Sequence, residues 1–309
     1  MPPHAWQAPD ADRIVDGAIA GIRTDLDRLA VPGLAGVVLG GGYGRGEGGV
    51  KPDGTLSNDL DFFAIAAEGA TDRDAARLAR ALSPLAADWT ARLGIDVDFT
   101  AKTPFRLRHD AERLMVQELL RGHVGVWGAP GADLFAGIPL RDAGELPWTE
   151  AVRLLANRGM GLLFAREAGR GPDFTARNIT KAVLGAGDAR LIARHDYRWR
   201  AGDRREALSD SLYARALDWK FRPVAAPPCP WEQARACWLS AASEIRAAAR
   251  PRRSLRDLAR WLARRRTPGP LRTLALDPVF RLFDEIAAIL QSPSPKTTPS
   301  LLRDWQTFG

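Results

Sequence analysis

Leu39-Gly-Gly-Gly-Tyr-Gly-Arg-Gly-Glu47, then residues 48–57, then Asn58-Asp59-Leu60-Asp61-Phe62-Phe63, is the stretch from which the rest of the chain is read. It opens behind residues 34–39, an apolar run that predicts a short buried strand. Gly41 and Gly42 let the backbone turn sharply after that strand and approach a ligand closely, because neither carries a Cβ. Successive amide N–H groups in such a turn form a concavity for phosphate oxygens, and Arg45 adds a forked cation beside them. Asp59 and Asp61 are separated by one residue on a second predicted strand, residues 60–66, so the period of 2 points both carboxylates to one face. Two carboxylates that close repel unless a cation lies between them, and magnesium, which accepts one or two carboxylates plus phosphate oxygens, suits the place.

Working outward, the spacing of Ile14, Ala18, Ile22 and Leu26 predicts a helix over residues 11–29, ended by Pro32-Gly33. Residues 71–93 read as a helix opened by a Thr71 N-cap with Asp74 three residues on. Residues 95–100 read as a third strand, 110–120 as a helix and 123–127 as a fourth strand. From Trp148 onward only helices are predicted, over 148–168, 173–194, 203–221, 231–249, 254–265 and 278–290, with a loose Pro-rich tail near 291–296. Strands first and helices after predict an α+β chain: an α+β domain over 1–140 and an all-α helical domain over 141–309.

The third strand, Ile95-Asp96-Val97-Asp98-Phe99, supplies a further carboxylate for the same site. Asp98 is preferred over Asp96, which stands at the mouth of the strand. The glycine run carries no Walker Lys-Ser/Thr, and Gly44-x-Gly46 opens no predicted helix, so the P-loop and dinucleotide-fold readings fail.

The order of glycine turn, Asp-x-Asp strand and third acidic strand residue resembles the DNA polymerase β-like nucleotidyltransferase superfamily. Tyr43-Gly-Arg-Gly-Glu47 is similar to its minimal and aminoglycoside-type branch. That resemblance, carried by residues 37–128, implies a small mixed sheet flanked by helices. It implies that Gly41 and Gly42 contact a nucleoside triphosphate, ATP by preference, and that Asp59 and Asp61 ligate one or two Mg2+ ions. Asp98 then acts as third ligand or as the base that activates an acceptor hydroxyl. Two departures stand out: Gly42 replaces the commoner serine, and residues 48–58 are longer than in compact members. The helical half is similar to the domains that follow this module in such enzymes, through Asn157-Arg158, Arg177-Asn-Ile-Thr-Lys181, Asp188 and Tyr197. There a helix-borne lysine reaches the triphosphate, and Lys181 is the residue expected to do so.

The acceptor implied is a small hydroxylated molecule. Transfer to a protein or RNA, or an idle nucleotide-binding role, are the rival readings. The chain has 309 residues and 46% hydrophobic content, enough for full cores. Its net charge of +7 suits an anionic partner. The arginines at 252, 253, 256, 260 and 264–266, with Trp261 among them, offer a face for nucleic acid but read first as a solvated helix surface. Trp127, Trp148, Trp231, Trp238 and His123 read as core or interface residues. Cys229 and Cys237 stand too far apart on a predicted helix to bridge, and the four histidines show no zinc spacing. No run of apolar residues suits a membrane span or a secretory leader, so a cytoplasmic location is expected.

Overall fold

The computed structural model describes residues 3–128, 134–167, 169–248, 278–292 and 295–308. The chain has α+β architecture and divides into two compact units, Met1–Asp142 with Lys220–Val224, and Ala143–Trp219 with Ala225–Gly309. Residues 220–224 thus belong with the first unit, a return of the chain that a single cut at 140/141 does not contain.

The first unit is built on a four-stranded sheet in the order β3-β2-β1-β4, with β1 Leu34–Leu39, β2 Leu60–Ala66, β3 Val97–Lys102 and β4 Val124–Gly128. β1 runs antiparallel to both β2 and β4, while β2 and β3 are parallel. The period of 2 sorts each strand between two cores. Val37, Leu39, Leu60, Phe62 and Ala64 pack with Val15, Ile19, Ile22 and Leu26 of α1 (Pro9–Leu29) and with Leu82, Leu85 and Trp89 of α3 (Asp72–Leu93). On the opposite face Val38, Phe63 and Ile65 meet Leu107 of α4 (Pro104–His109) and Val116 and Leu119 of α5 (Leu114–Arg121). Asp61 and Asp98 alternate with the first set, so their side chains belong to the α4/α5 face.

Local chemistry explains most boundaries. Thr71 and Asp74 form a full capping box at the start of α3, and Gly94, at φ +68°, closes its end. The strand expected from residue 95 starts two residues later, because Ile95-Asp96 link Gly94 to the sheet and Thr90 Oγ1 accepts the Val97 N–H at 2.9 Å. The helix expected over 110–120 begins only at Leu114, as α5, and a short helix that the sequence reading did not contain, α4, precedes it. Thr103 caps α4 with Pro104 at its first position, and a turn closed by the Arg113 N–H on the Asp110 carbonyl separates it from α5.

In the second unit the described residues form α6 (Thr149–Phe164), α7 (Pro172–Ala193), α8 (Ala201–Leu208), most of α9 (Ser211–Phe221), α10 (Trp231–Ala248) and two further helices, Pro278–Gln291 and Pro299–Phe308. Trp231 and Trp238 are buried, and their indole N–H groups donate to the carbonyls of Leu162 and Leu155. The helix expected over 203–221 is broken: Ser209 takes φ +49°, and Asp210 Oδ1 then accepts the N–H groups of Leu212 and Tyr213 as a fresh cap. The last helix, behind the Pro-rich stretch, has no counterpart in the sequence reading. Cys229 stands ahead of α10, not on it, and both cysteines are free. The predicted helix 254–265 and the whole arginine run lie outside the described residues. Among the described residues no helix is long and apolar enough to cross a membrane.

Candidate active site

The site is assembled where β1 ends and β2 begins. The chain leaves Leu39 and enters, at Gly41, a one-turn helix α2 (Gly41–Gly44) in place of an open loop. The Gly40 N–H donates to the Asp61 carbonyl at 2.8 Å, fixing the turn to β2. Gly41 sits at φ +61°, and a Cβ built on it would overlap Asp61 Oδ2. Glycine is therefore required there twice, for backbone conformation and for contact with a carboxylate. Glu47 and Arg45 both donate their N–H groups to the Gly42 carbonyl. The N–H groups of Gly41, Gly42 and Tyr43, in the first turn of α2, have no acceptor among the described residues.

Asp61 pairs in register with Asp98 across the parallel β2–β3 ladder, so both carboxylates rise from the same face. Asp59 stands just ahead of β2. The Asp98 carboxyl is held above the usual carboxylate range, first by partial burial and then by the negative charges of Asp96 and Asp59. The structure thus brings Gly41 and Asp61 into contact, aligns Asp61 with Asp98, and sets Asp59 close enough to act on Asp98. Asp96 lies exposed before the strand.

Among the described residues no group of three or more His, Cys, Asp or Glu side chains is arranged to hold a metal ion. The donor chemistry still suits magnesium. All the groups are hard oxygens, and this ion takes only one or two carboxylates, filling the rest of its octahedron with phosphate oxygens and water. The mutual repulsion recorded at Asp98 is the condition that a divalent cation relieves.

Arg45 has partners that its motif does not name. Its guanidinium pairs with Glu118 of α5 at 3.1 Å and lies 3.7 Å from Glu47, with the side chain 18% exposed. Its stem fills the space above Gly122, where a Cβ would overlap Arg45 Cγ. Arg45 therefore braces the turn against α5. Lys181 is half-buried on α7 of the second unit. Asp188 and Tyr197 join buried Arg204 and Tyr213 in a network internal to that unit. His123 is exposed, not a core residue, and its Nδ1–H donates to the Leu119 carbonyl at 2.9 Å.

Several participants were not singled out from sequence. Tyr43 is fully buried, donates its hydroxyl to the Gly49 carbonyl at 2.7 Å and accepts the N–H groups of Ser57 and Asn58. Burial raises its phenol to about 12. Asn58 Oδ1 accepts the Gly49 N–H at 2.7 Å. Together they pin the base of the long stretch 48–58, which folds as a small hairpin with Val50 bridged to Leu56 and Asp53-Gly54 at its tip. Lys220, from the returning segment, lies 3.5 Å from Glu47. Tyr43 and Asn58 could have been found from their place within the motif stretch, whereas no sequence signal pointed to Lys220. The chain matches no protein-family model and no curated protein.

Proposed function

We propose that the first unit is a DNA polymerase β-like nucleotidyltransferase module that moves AMP from ATP to a hydroxyl of a small acceptor. The observation that carries this reading is the contact between a glycine turn, three of whose N–H groups have no acceptor among the described residues, and a carboxylate aligned with a second one on the next strand. Phosphate oxygens would lie on the N–H groups of Gly41, Gly42 and Tyr43. Asp59 and Asp61 would hold magnesium, which when bound neutralises phosphate charge. Asp98 would take up the acceptor proton as the acceptor oxygen bonds to the α-phosphorus. The bond from that phosphorus to the bridging oxygen then breaks, and pyrophosphate leaves. The protein contributes chiefly positioning and a prearranged electrostatic field. Arg45 serves by holding the turn.

The test is incubation with α-labelled ATP, magnesium and panels of hydroxylated small molecules, using the wild type and Asp59→Asn. Label transfer by the wild type and loss of at least about 100-fold in the variant, with unchanged folding, is expected. Undiminished transfer by Asp59→Asn would remove the mechanism.

A further inference from the structure

His4 is fully buried against the glycine turn. One ring nitrogen lies 3.2 Å from the Tyr43 carbonyl oxygen and the other 3.1 Å from Asp16 Oδ1 of α1. Both partners are acceptors only. A main-chain carbonyl has no proton to give, and an ionised carboxylate has none either. A neutral imidazole offers one N–H and one lone pair, so it satisfies one partner and turns a lone pair on the other. A ring that satisfies both donates from both nitrogens. The main chain around it is equally engaged: Asp12 Oδ1 accepts the N–H groups of His4 and Ala5, each at 2.8 Å. The Gly48 N–H donates to the His4 carbonyl, and the Trp6 N–H donates to the Gly48 carbonyl. Trp6 stacks on Phe221 at 4.5 Å, and the Val50 N–H donates to the Phe221 carbonyl. The turn is thus gripped between an N-terminal strap and residues 220–221.

We infer that His4 is a positioning residue for the glycine turn, held as a buried imidazolium that donates to Tyr43 and Asp16 at once and so ties residues 3–6 to the phosphate-facing backbone. The Tyr43 carbonyl it orients belongs to α2, whose N–H groups point the other way along the helix, so the bond fixes the direction in which those donors face. Among the described residues, the ionisable side chains hydrogen-bonded to residue 4 are Asp12 and Asp16 from α1, and the turn's hydrogen bond to its ring comes from a main-chain carbonyl. The link from turn geometry to nucleotide binding rests on the function proposed above; the protonation of the ring does not.

Asp16→Asn separates the possibilities. An asparagine amide at residue 16 donates as well as accepts, so the ring nitrogen facing it becomes the acceptor, and a neutral ring keeps both contacts. Nitrogen NMR of the full chain at neutral pH is expected to show two protonated ring nitrogens on His4 in the wild type and one in Asp16→Asn, with the fold intact in both. His4→Phe, which removes both bonds, is expected to move the backbone amide signals of residues 42–46 and to raise the KM for ATP with magnesium about tenfold or more, leaving kcat less affected. A single neutral tautomer in the wild type overturns the imidazolium. Unmoved signals for residues 42–46 in a folded His4→Phe overturn the positioning role. Protonated nitrogens and shifted amides in a protein that binds no ATP would leave this inference standing and reject the transferase reading instead.

Discussion

Gly41 and Asp61 touch: the first residue of the turn lies so close to the carboxylate that no Cβ fits between them. Gly41→Ala must therefore displace Asp61 as well as strain the backbone. Gly54 is the natural control, since it sits at φ +83° on the hairpin tip with open space around its would-be Cβ. Both substitutions are expected to lower stability by about 1–2 kcal/mol, the usual cost of left-handed backbone for a residue with a Cβ. Only Gly41→Ala should also cut nucleotidyl transfer steeply, by about 100-fold. Urea melts beside turnover assays on the two variants check this, and equal activity would dissociate the turn from the carboxylate.

The buried phenol of Tyr43 sets a stability window in alkali. Its folded-state value, about 12, lies above the ordinary 10.0, so the neutral form is favoured by folding. Its contribution is complete below pH 10 and is lost as pH rises through the folded value near 12. A shift of that size corresponds to about 2–3 kcal/mol at most. Chemical denaturation of the wild type between those limits should show a drop that Tyr43→Phe lacks, once the variant's lower starting stability from its lost hydroxyl bonds is subtracted. Parallel curves for the two proteins would exclude it.

How much of this was legible beforehand follows from which interactions are local. The strands β1 and β2 and the Thr71 cap were readable because period-2 burial and a side chain three residues from its partner are written in adjacent residues. The contact of Gly41 with Asp61 was implied by the motif order but required the antiparallel pairing of β1 with β2 to exist. The pairing of Arg45 with Glu118 was not legible, because Glu118 is 73 residues away on a helix the motif does not mention. His4 and Lys220 reach the turn from distant parts of the chain, and no spacing rule connects residues so far apart in sequence.

The Arg45–Glu118 pair offers a direct measure of the brace. Its side chains are 18% and 21% exposed, so water screens the pair only partly. Arg45→Ala and Glu118→Ala are each expected to cost about 1–3 kcal/mol, since each removes a charged partner from a partly buried side chain. The double variant should cost less than the sum, giving a coupling of about 1 kcal/mol or more in a thermodynamic cycle. Additive losses would mean that the two side chains do not support one another.

Asp98 is a site carboxylate whose ionisation its surroundings oppose, and its titration reports on neighbours and metal together. In the metal-free protein its carboxyl should lose its proton above the usual carboxylate range, because partial burial and the charges of Asp96 and Asp59 all disfavour the ionised form. Asp96→Asn removes one of those charges and should lower the titration; Asp59→Asn should do the same. Magnesium acts in the same direction if Asp98 shares the ion, since a cation favours the carboxylate. A base that must be ionised to accept the acceptor's proton loses activity as pH falls through its own value, so the acid limb of turnover should move to lower pH in Asp96→Asn. Carbon NMR of the Asp98 carboxyl, recorded across pH with and without magnesium, reads all of this without an acceptor. Carboxyl shifts indifferent to both the neighbouring charges and the ion would show that residues 59, 96 and 98 do not form one electrostatic site.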